Sequence, residues 1–595
     1  MAARVPVCYS HAVAAGASRE PVDAVAAADP RRHGVPDPDH HPPRARRRRR
    51  LRALVVVALL LAGGAVAFDH ATRIAPPPVS APREEALRFA DGVTWVGPSS
   101  LERRGALWVM HLAGEPVQIG YRHARLTAPI MATGDLHMLD LFATFVPSAV
   151  VRAVLTAVVR ARYREVDRGF PPARRAEIYG ESVAYGDRGP AFLTPYHRLV
   201  YLHALYDIAL AFERSPLLGC TAFVASGEAT RAGTTPGHTI VGRNFDLDVD
   251  PWFDLDKTVQ IVEPTGRIPF ASIAWPGMTG VVTGMNAAGV WVSVNGARAG
   301  RPDNAGVPVV FTTRAILEEA RTLDEAITIA TRDAPMTSHI LLLADGASGE
   351  SAVVERAPGL APAVRRAALT VVANHYATPA FAADPKNTFV REHTSTLARE
   401  ARLRELVTHA GGGIDPTAAV ALLRDRGSVG GVPLPLGNRN AIDALIATHS
   451  VVADLTAGVL WVSEGPHTLG AYRRIDLRAR LNGTGPPRGE ADGDIAADAL
   501  LADGRFEDQM LGARLRRAAE RERAAGHPDD AAEEYDRALA LRPDDHLAWR
   551  GLAETRAAMG DAAGARAAWQ RVVTLAPESP AAAMDARRAA AVPGT

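Results

Sequence analysis

Gly219-Cys220-Thr221-Ala222-Phe223-Val224-Ala225-Ser226, followed after a loop of Gly, Thr and Pro by Thr239-Ile240-Val241-Gly242-Arg243-Asn244-Phe245-Asp246, is the stretch from which the rest of the chain can be read. Two short apolar runs bounded by turn residues predict two strands, the first opened by a cysteine and the second closed by an Arg/Asp pair. The 595-residue chain holds two cysteines; the other, Cys8, falls in a tail without apolar period, so Cys220 has no disulfide partner in the folded part. By itself a strand cysteine is a small buried apolar residue. Its neighbours make it a chemical candidate.

Downstream the pattern stays strand-rich, with Val259-Gln260-Ile261-Val262 and Gly289-Val290-Trp291-Val292-Ser293-Val294 as strands. Two helices follow, the second opened by the capping box Thr322-Leu323-Asp324-Glu325. Ile340–Ala344 and Ser351–Glu355, joined through Asp345-Gly346, predict a hairpin, as do Val451–Asp454 and Val459–Val462 around Thr456-Ala457-Gly458. Between them a helix is bracketed by Asp415-Pro416 and Gly427. Strands, helices and strands again imply two sheets covered by helices.

Upstream, Trp108–Leu112 predicts a strand, and Glu115-Pro116-Val117-Gln118-Ile119-Gly120-Tyr121-Arg122-His123-Ala124 a turn entering a helix with Pro near its first position. Leu139–Arg162 and Tyr196–Phe212 are helical in period and length. Residues 1–50 read as a disordered basic tail ending in Arg44 and Arg46–Arg50; residues 51–68 read as a signal peptide or membrane anchor, and Ala75–Pro82 as a Pro-rich spacer. The apolar run Ala53–Phe68 is shorter than the about 20 residues that span a bilayer, and Ala65-Val66-Ala67 fits signal cleavage, while the long preceding tail fits an uncleaved anchor. Either way the remainder lies outside the cytoplasm, periplasmic or extracellular, with positive charge left inside. Lys+Arg is 67 and Asp+Glu 66, a balance that argues against a nucleic-acid partner.

Gly- and Pro-rich residues 482–497 read as a linker. Beyond them Gly526, Tyr535, Leu541 and Pro543 recur as Gly560, Trp569, Leu575 and Pro577, each 34 positions on, the period of tetratricopeptide helical hairpins. Residues 498–592 are thus an all-α repeat domain, capped by a helix near 581–592 and able to bind a protein partner. This reading makes residues beyond about 495 dispensable for chemistry.

Gly-Cys-Thr-Ala at 219–222, Gly-Arg-Asn-Phe-Asp at 242–246 and Gly284-Met285-Asn286-Ala287-Ala288-Gly289-Val290 together resemble the acyl-coenzyme A:6-aminopenicillanate acyltransferase family, relatives of the choloylglycine hydrolases among the N-terminal-nucleophile hydrolases. The segment Glu115–His123 resembles that family's precursor part, and the resemblance spans about residues 108–481. It implies an α+β, four-layer αββα sandwich, with residues 84–219 as a precursor (front) segment and 220–481 as the catalytic domain. It further implies Cys220 as nucleophile, Arg243 and Asp246 holding its thiol and amine, and Asn295 and Asn374 as oxyanion donors. Arg399, in Ser395-Thr396-Leu397-Ala398-Arg399, matches the family's later arginine, with Arg402 as rival. Self-cleavage between Gly219 and Cys220 is implied as well.

The chemistry of the residue types agrees. A cysteine at a chain start carries its own base, since an α-amine of ordinary pKa about 7.7–8.0 can take the thiol proton at neutral pH. An adjacent guanidinium favours the thiolate, and two amide donors on a carbonyl oxygen would each supply about 3 kcal/mol to the transition state. Other readings stay open: the asparagines as turn residues, Arg243/Asp246 as a salt bridge, Arg399 on a solvated helix face, and a papain-like pair using His375. No phosphate loop or metal-spaced cluster appears, so no cofactor is implied. The function expected is an exported Cys amidohydrolase or acyltransferase acting on a small acylated substrate. A phospholipid or ester deacylase, and a non-catalytic envelope scaffold presenting the repeats, are the alternatives.

Overall fold

A computed structural model of the chain describes residues 44–188, 193–211, 219–248, 252–482, 490–575 and 577–591. The chain divides into two units, residues 1–70 and 71–595. In the first, a single helix, Arg44–Thr72, starts within the stretch read as a disordered tail and continues past Phe68. No proline stops it until Pro76, so the turn can propagate beyond the apolar run. Its part Arg50–Thr72 is long and apolar enough to cross a membrane. The rest of the tail, residues 1–43, lies outside the described residues.

In the second unit the period-2 alternation of each strand sorts side chains into layers. Among the described residues one sheet has eleven strands and the other six. Ile340, Leu342 and Ala344 of the large sheet pack with Ala222, Val224, Val451 and Ala453 of the small one, between the sheets. The alternate residues, Leu341, Leu343, Val290 and Val292, face helices that contribute Ile119, Ile178, Leu199 and Phe311. On the far side Phe223, Ala225 and Val452 meet Leu403, Val407 and Val420. The result is helix, sheet, sheet, helix, the four-layer arrangement expected.

The helix Pro116–Phe145 begins with Pro at its first position, as read. It crosses Pro172–Tyr185 at backbone contact, because a Cβ at Gly120 would overlap the Glu177 carbonyl and one at Gly180 the Val117 carbonyl. Gly120→Ala is therefore expected to force the helices apart and cost about 3 kcal/mol, read as a lowered melting temperature. The apolar run Leu139–Arg162 is two helices, not one. Pro147 ends the first at Phe145, and Ala149–Arg162 leaves at 112° with Val150, Val154 and Val158 exposed.

Four strands between Leu87 and Gly114 extend the large sheet; sequence reading missed the first three, and the fourth contains the predicted strand Trp108–Leu112. The last of them, Leu107–Gly114, pairs in parallel with Thr258–Pro264, from Trp108 opposite Thr258 to Gly114 opposite Pro264. The segment before Cys220 and the segment after it thus share one sheet.

The described part of the predicted linker is packed against the sandwich. Glu490 takes two bonds from Arg480, at 2.9 and 2.7 Å, and Asp494 accepts from Arg104, Arg473 and the Arg474 N–H. Ile495 pairs with Tyr472. Glycine and proline content suggested a tether, but its acidic residues find arginines at the end of the sandwich and, in Arg104, one far away in the sequence. Residues 483–489 lie outside the described residues. The helical hairpins follow as Arg505–Ala525 with Pro528–Leu541 and His546–Ala558 with Ala562–Thr574, closed by Pro580–Ala591. Gly526 and Gly560 end helices at φ +84° and +83°, a conformation open to glycine, which explains their recurrence.

Candidate active site

Cys220 precedes the strand Thr221–Ala225, which runs antiparallel to Ile240–Asp246 with Ala222 opposite Arg243. This pairing brings the cysteine and the Arg/Asp pair together, and all three are buried. Arg243 is anchored by the carbonyls of Val282 and Val294 and the Thr283 hydroxyl, leaving Nη2 3.8 Å from Cys220 Sγ. Burial raises the thiol pKa, and Arg243 pulls the other way. Asp246 accepts the Gly219 N–H through its own carbonyl at 3.1 Å. Burial pushes its carboxyl up to about 7 against the pull of Arg399, with Asp443 adding to the rise.

Arg399 does not sit on a solvated face. It is buried, donating to the Cys220 carbonyl at 2.7 Å, to the Thr221 hydroxyl, and to Asn374 Oδ1 at 2.8 Å. The rival Arg402 is instead spent on Asp425 and Glu405. Because guanidinium only donates, its bond to Asn374 fixes which end of that carboxamide is oxygen. Asn374 Nδ2 then donates to the Gly296 carbonyl at 2.9 Å, and Asn295 Nδ2 reciprocates onto Ala373 at 2.8 Å. Each amide nitrogen retains a second N–H. His375 binds Thr396 through Nδ1 at 3.0 Å and faces Glu400 through Nε2 at 3.3 Å, so both ring nitrogens are engaged away from the role of a papain-like base.

Two motif residues prove structural. Asn286 accepts from the Ala288 and Val290 N–H groups and donates to the Leu317 and Ala320 carbonyls, tying the Gly289 turn to the end of the helix Val309–Glu319. Asn244 bonds the Leu423 and Ile442 carbonyls and Ser450. Nor does space alone require glycine at 219. A Cβ there would meet Asp246 Cβ at 3.5 Å and Arg399 Nη2 at 3.8 Å, ordinary contacts.

Sequence reading missed Tyr206, Thr283 and His449. Tyr206 comes from the upstream helix Pro195–Ala211 and carries a phenol whose pKa is raised by burial and then by the cysteine. His449 bonds Thr283 Oγ1 at 2.9 Å and stacks on Phe245, behind Arg243. No local spacing links these positions to Cys220, so only the fold reveals them.

Two cavities are lined by residues that surround the cysteine, which itself lines neither. One of about 370 Å³ is apolar, lined by Phe142, Phe145, Tyr206, Phe245, Trp275 and Val282 among others. The other, about 380 Å³, is lined by Gly219, Asp246 and Arg399 on one side and by His546, Trp569 and Glu578 of the repeats on the other. The repeats therefore reach the site, a proximity that the expectation of their dispensability did not include.

The upstream segment also fixes the loop that supplies Trp275. His123 Nε2 accepts the Gly277 N–H at 3.0 Å and His203 Nε2 the Thr279 N–H at 2.9 Å. Burial pushes both imidazoles down to about 4. Unfolded, each would titrate at its ordinary 6.5, so between pH 6.5 and 4 the unfolded chain binds protons that the folded one refuses. This stability is complete above pH 6.5 and is lost as pH falls through 4. His203→Gln lacks one such contribution, so the gap in melting temperature between wild type and variant is expected to shrink from pH 7.5 to pH 4.5. Asp207 and Asp246, both raised to about 7, act in the opposite direction but cancel in that difference.

Residues 234–429 match the family model of acyl-coenzyme A:6-aminopenicillanic acid acyl-transferase. The matched span carries Arg243, Asp246, Asn295, Asn374 and Arg399, and begins after Cys220, whose place rests on the geometry above. A tetratricopeptide repeat model matches residues 512–555. A curated relative, an uncharacterized protein of Archaeoglobus fulgidus, is 23% identical over 313 residues, 46% of this chain and 50% of its own length. The chain thus spans about half the length of the curated relative it matches. Among solved structures, the Caenorhabditis elegans ortholog of N-acylethanolamine-hydrolyzing acid amidase is 18% identical, covering 40% of this chain and 93% of its own, with TM-score 0.29. The C2A mutant of conjugated bile acid hydrolase from Clostridium perfringens is 12% identical, covering 44% and 93%, with TM-score 0.28.

Proposed function

We propose that the protein is an exported, self-processing cysteine amidohydrolase or acyltransferase that cleaves an amide or ester of a small apolar acyl group through a thioester. The observation that carries the reading is Cys220 itself, its thiol against Arg243 and its carbonyl held by Arg399, with an apolar cavity and a mixed one lined by the residues around it. The match of residues 234–429 to an acyltransferase family supports it. The apolar N-terminal helix supports export, and hydrolysis is favoured over transfer because acyl-coenzyme A is scarce outside the cytoplasm.

Maturation comes first. Cys220 Sγ adds to the Gly219 carbonyl carbon, the Gly219–Cys220 C–N bond breaks, and the thiol proton ends on the freed amine. Water then hydrolyses the thioester, leaving a Gly219 carboxylate and a free thiol. In turnover that new α-amine takes the thiol proton and the thiolate adds to the substrate carbonyl. Asn374 and Asn295 donate to the resulting oxyanion, and the proton passes to the leaving amine. Water repeats the attack on the acyl-enzyme.

Asp246, beside Gly219 with its carboxyl at about 7, can accept and return a proton during cleavage. The rate of self-cleavage should accordingly rise with pH through about 7, and Asp246→Asn should flatten that rise. A rise that survives in Asp246→Asn would exclude the carboxyl. The overall reading is tested by treating purified protein with a thiol-reactive acyl probe and mapping the adduct. Modification at Cys220 is expected, and its absence on folded protein would favour a scaffold.

A further inference from the structure

We propose that the C-terminal repeats are a wall of the active site and grip the leaving half of the substrate. This deepens the cysteine acyl-transfer reading and rests on it. The two cavities differ in both origin and chemistry. The apolar one is built largely by the segment before Cys220, with Phe142 and Phe145 at the end of one helix and Tyr206 from another. The other is closed from outside by side chains of three repeat helices: His546 and Arg550 from His546–Ala558, Trp569 from Ala562–Thr574, and Asp585 from Pro580–Ala591.

That closure is held by specific bonds. Glu578 Oε1 accepts the Arg439 N–H at 3.0 Å, the Pro577 carbonyl accepts from Asn440 Nδ2 at 3.1 Å, and the Leu436 carbonyl accepts from Arg542 Nη2 at 2.8 Å. Arg517 reaches Asp248 at 3.4 Å, two residues beyond Asp246. The segment 436–440 is thus clamped by the repeats and bears Arg439 into the same cavity.

An acyl chain belongs in the apolar cavity, where each methylene buried leaves water favourably. The opposite cavity is mixed: beside Ile446, Leu547 and Val572 it offers guanidinium, carboxyl and indole groups that can hydrogen-bond and stack on a polar amine. The substrate class is therefore an amide joining an apolar acyl chain to a polar amine, with the amine half beneath the repeats.

The test uses the processed full-length protein and two amides of one acyl group. One is N-octanoyl-serine, with a polar leaving half, and the other the octanoyl amide of 7-amino-4-methylcoumarin, with a flat apolar one. Arg550→Ala and Trp569→Ala are each expected to lower the ratio of kcat/KM for octanoyl-serine over the coumarin amide about 10-fold, chiefly through KM. Arg537→Ala, on the same repeats but paired with Glu534 and absent from the cavity lining, should leave the ratio unchanged. Melting curves check that each variant is folded, and Asp585→Asn, at an exposed position, replaces any that is not. An unchanged ratio in both Arg550→Ala and Trp569→Ala overturns the inference while leaving the cysteine reading intact. Wild-type protein that forms no acyl-enzyme with either amide overturns the cysteine reading and the inference with it.

Discussion

Cys220→Ala is expected to yield a single uncut chain with no turnover, whereas the wild type resolves on denaturation into a front chain ending at Gly219 and a second chain starting Cys-Thr-Ala-Phe. Removing the thiol abolishes both the self-cleavage attack and the later acyl-enzyme, so no residual pathway of comparable rate remains. The substitution should cost little fold. A methyl fills most of the volume of a buried side chain whose thiol makes a long 3.8 Å approach to Arg243. Cys220→Ser should cut slowly, because a hydroxyl is a far weaker nucleophile at neutral pH. Intact-mass measurement on active wild-type protein decides the matter. If the active species proves uncut at Gly219, no free α-amine exists and another group must serve as base.

Asn374→Ala should lower kcat by about 10²–10³-fold with KM within a few-fold, the signature of a donor that acts in the transition state. The same change removes the partner of Arg399 Nη2, so the arginine loses part of its hold next to the cysteine. Asn374→Asp separates the two effects, keeping an acceptor for Arg399 while discarding the amide N–H. If Asn374→Asp is as impaired as Asn374→Ala, the N–H is what counts. If it recovers activity, the residue serves to position Arg399 and the oxyanion is stabilised elsewhere.

Most of this was legible where chemistry is local. Hairpins, the Thr322 cap and the recurrence of Gly526 as Gly560 follow from backbone preferences that depend on a few neighbouring residues. The cysteine and its Arg/Asp pair were legible too, because two adjacent antiparallel strands make sequence spacing and spatial distance nearly the same thing. Arg399 was harder. In the helix Thr396–His409 it stands four residues before Leu403 and eight before Val407, in phase with the buried stripe, and that phase was the available signal that it points inward. Tyr206 and His449 had no such signal, since each reaches the site through packing between layers. The linker reading, made on glycine and proline content, missed the ion pairs of Glu490 and Asp494 for a similar reason. A charge looks solvated in sequence until its partner, distant along the chain, is known.

The parallel pairing of Leu107–Gly114 with Thr258–Pro264 has a consequence for the history of each molecule. Under the proposed cleavage at 219, these strands would belong to different polypeptides held in one continuous sheet, with the loop bearing Trp275 pinned by His123 and His203 from the other chain. The uncut chain can reach this arrangement as a single molecule, whereas the cut pair would have to find it by encounter of two apolar, incomplete halves. Denaturation of such a cleaved protein would then be a one-way event. Its durability would be governed by the rate at which it first opens, and only newly made, uncleaved chains would replenish it.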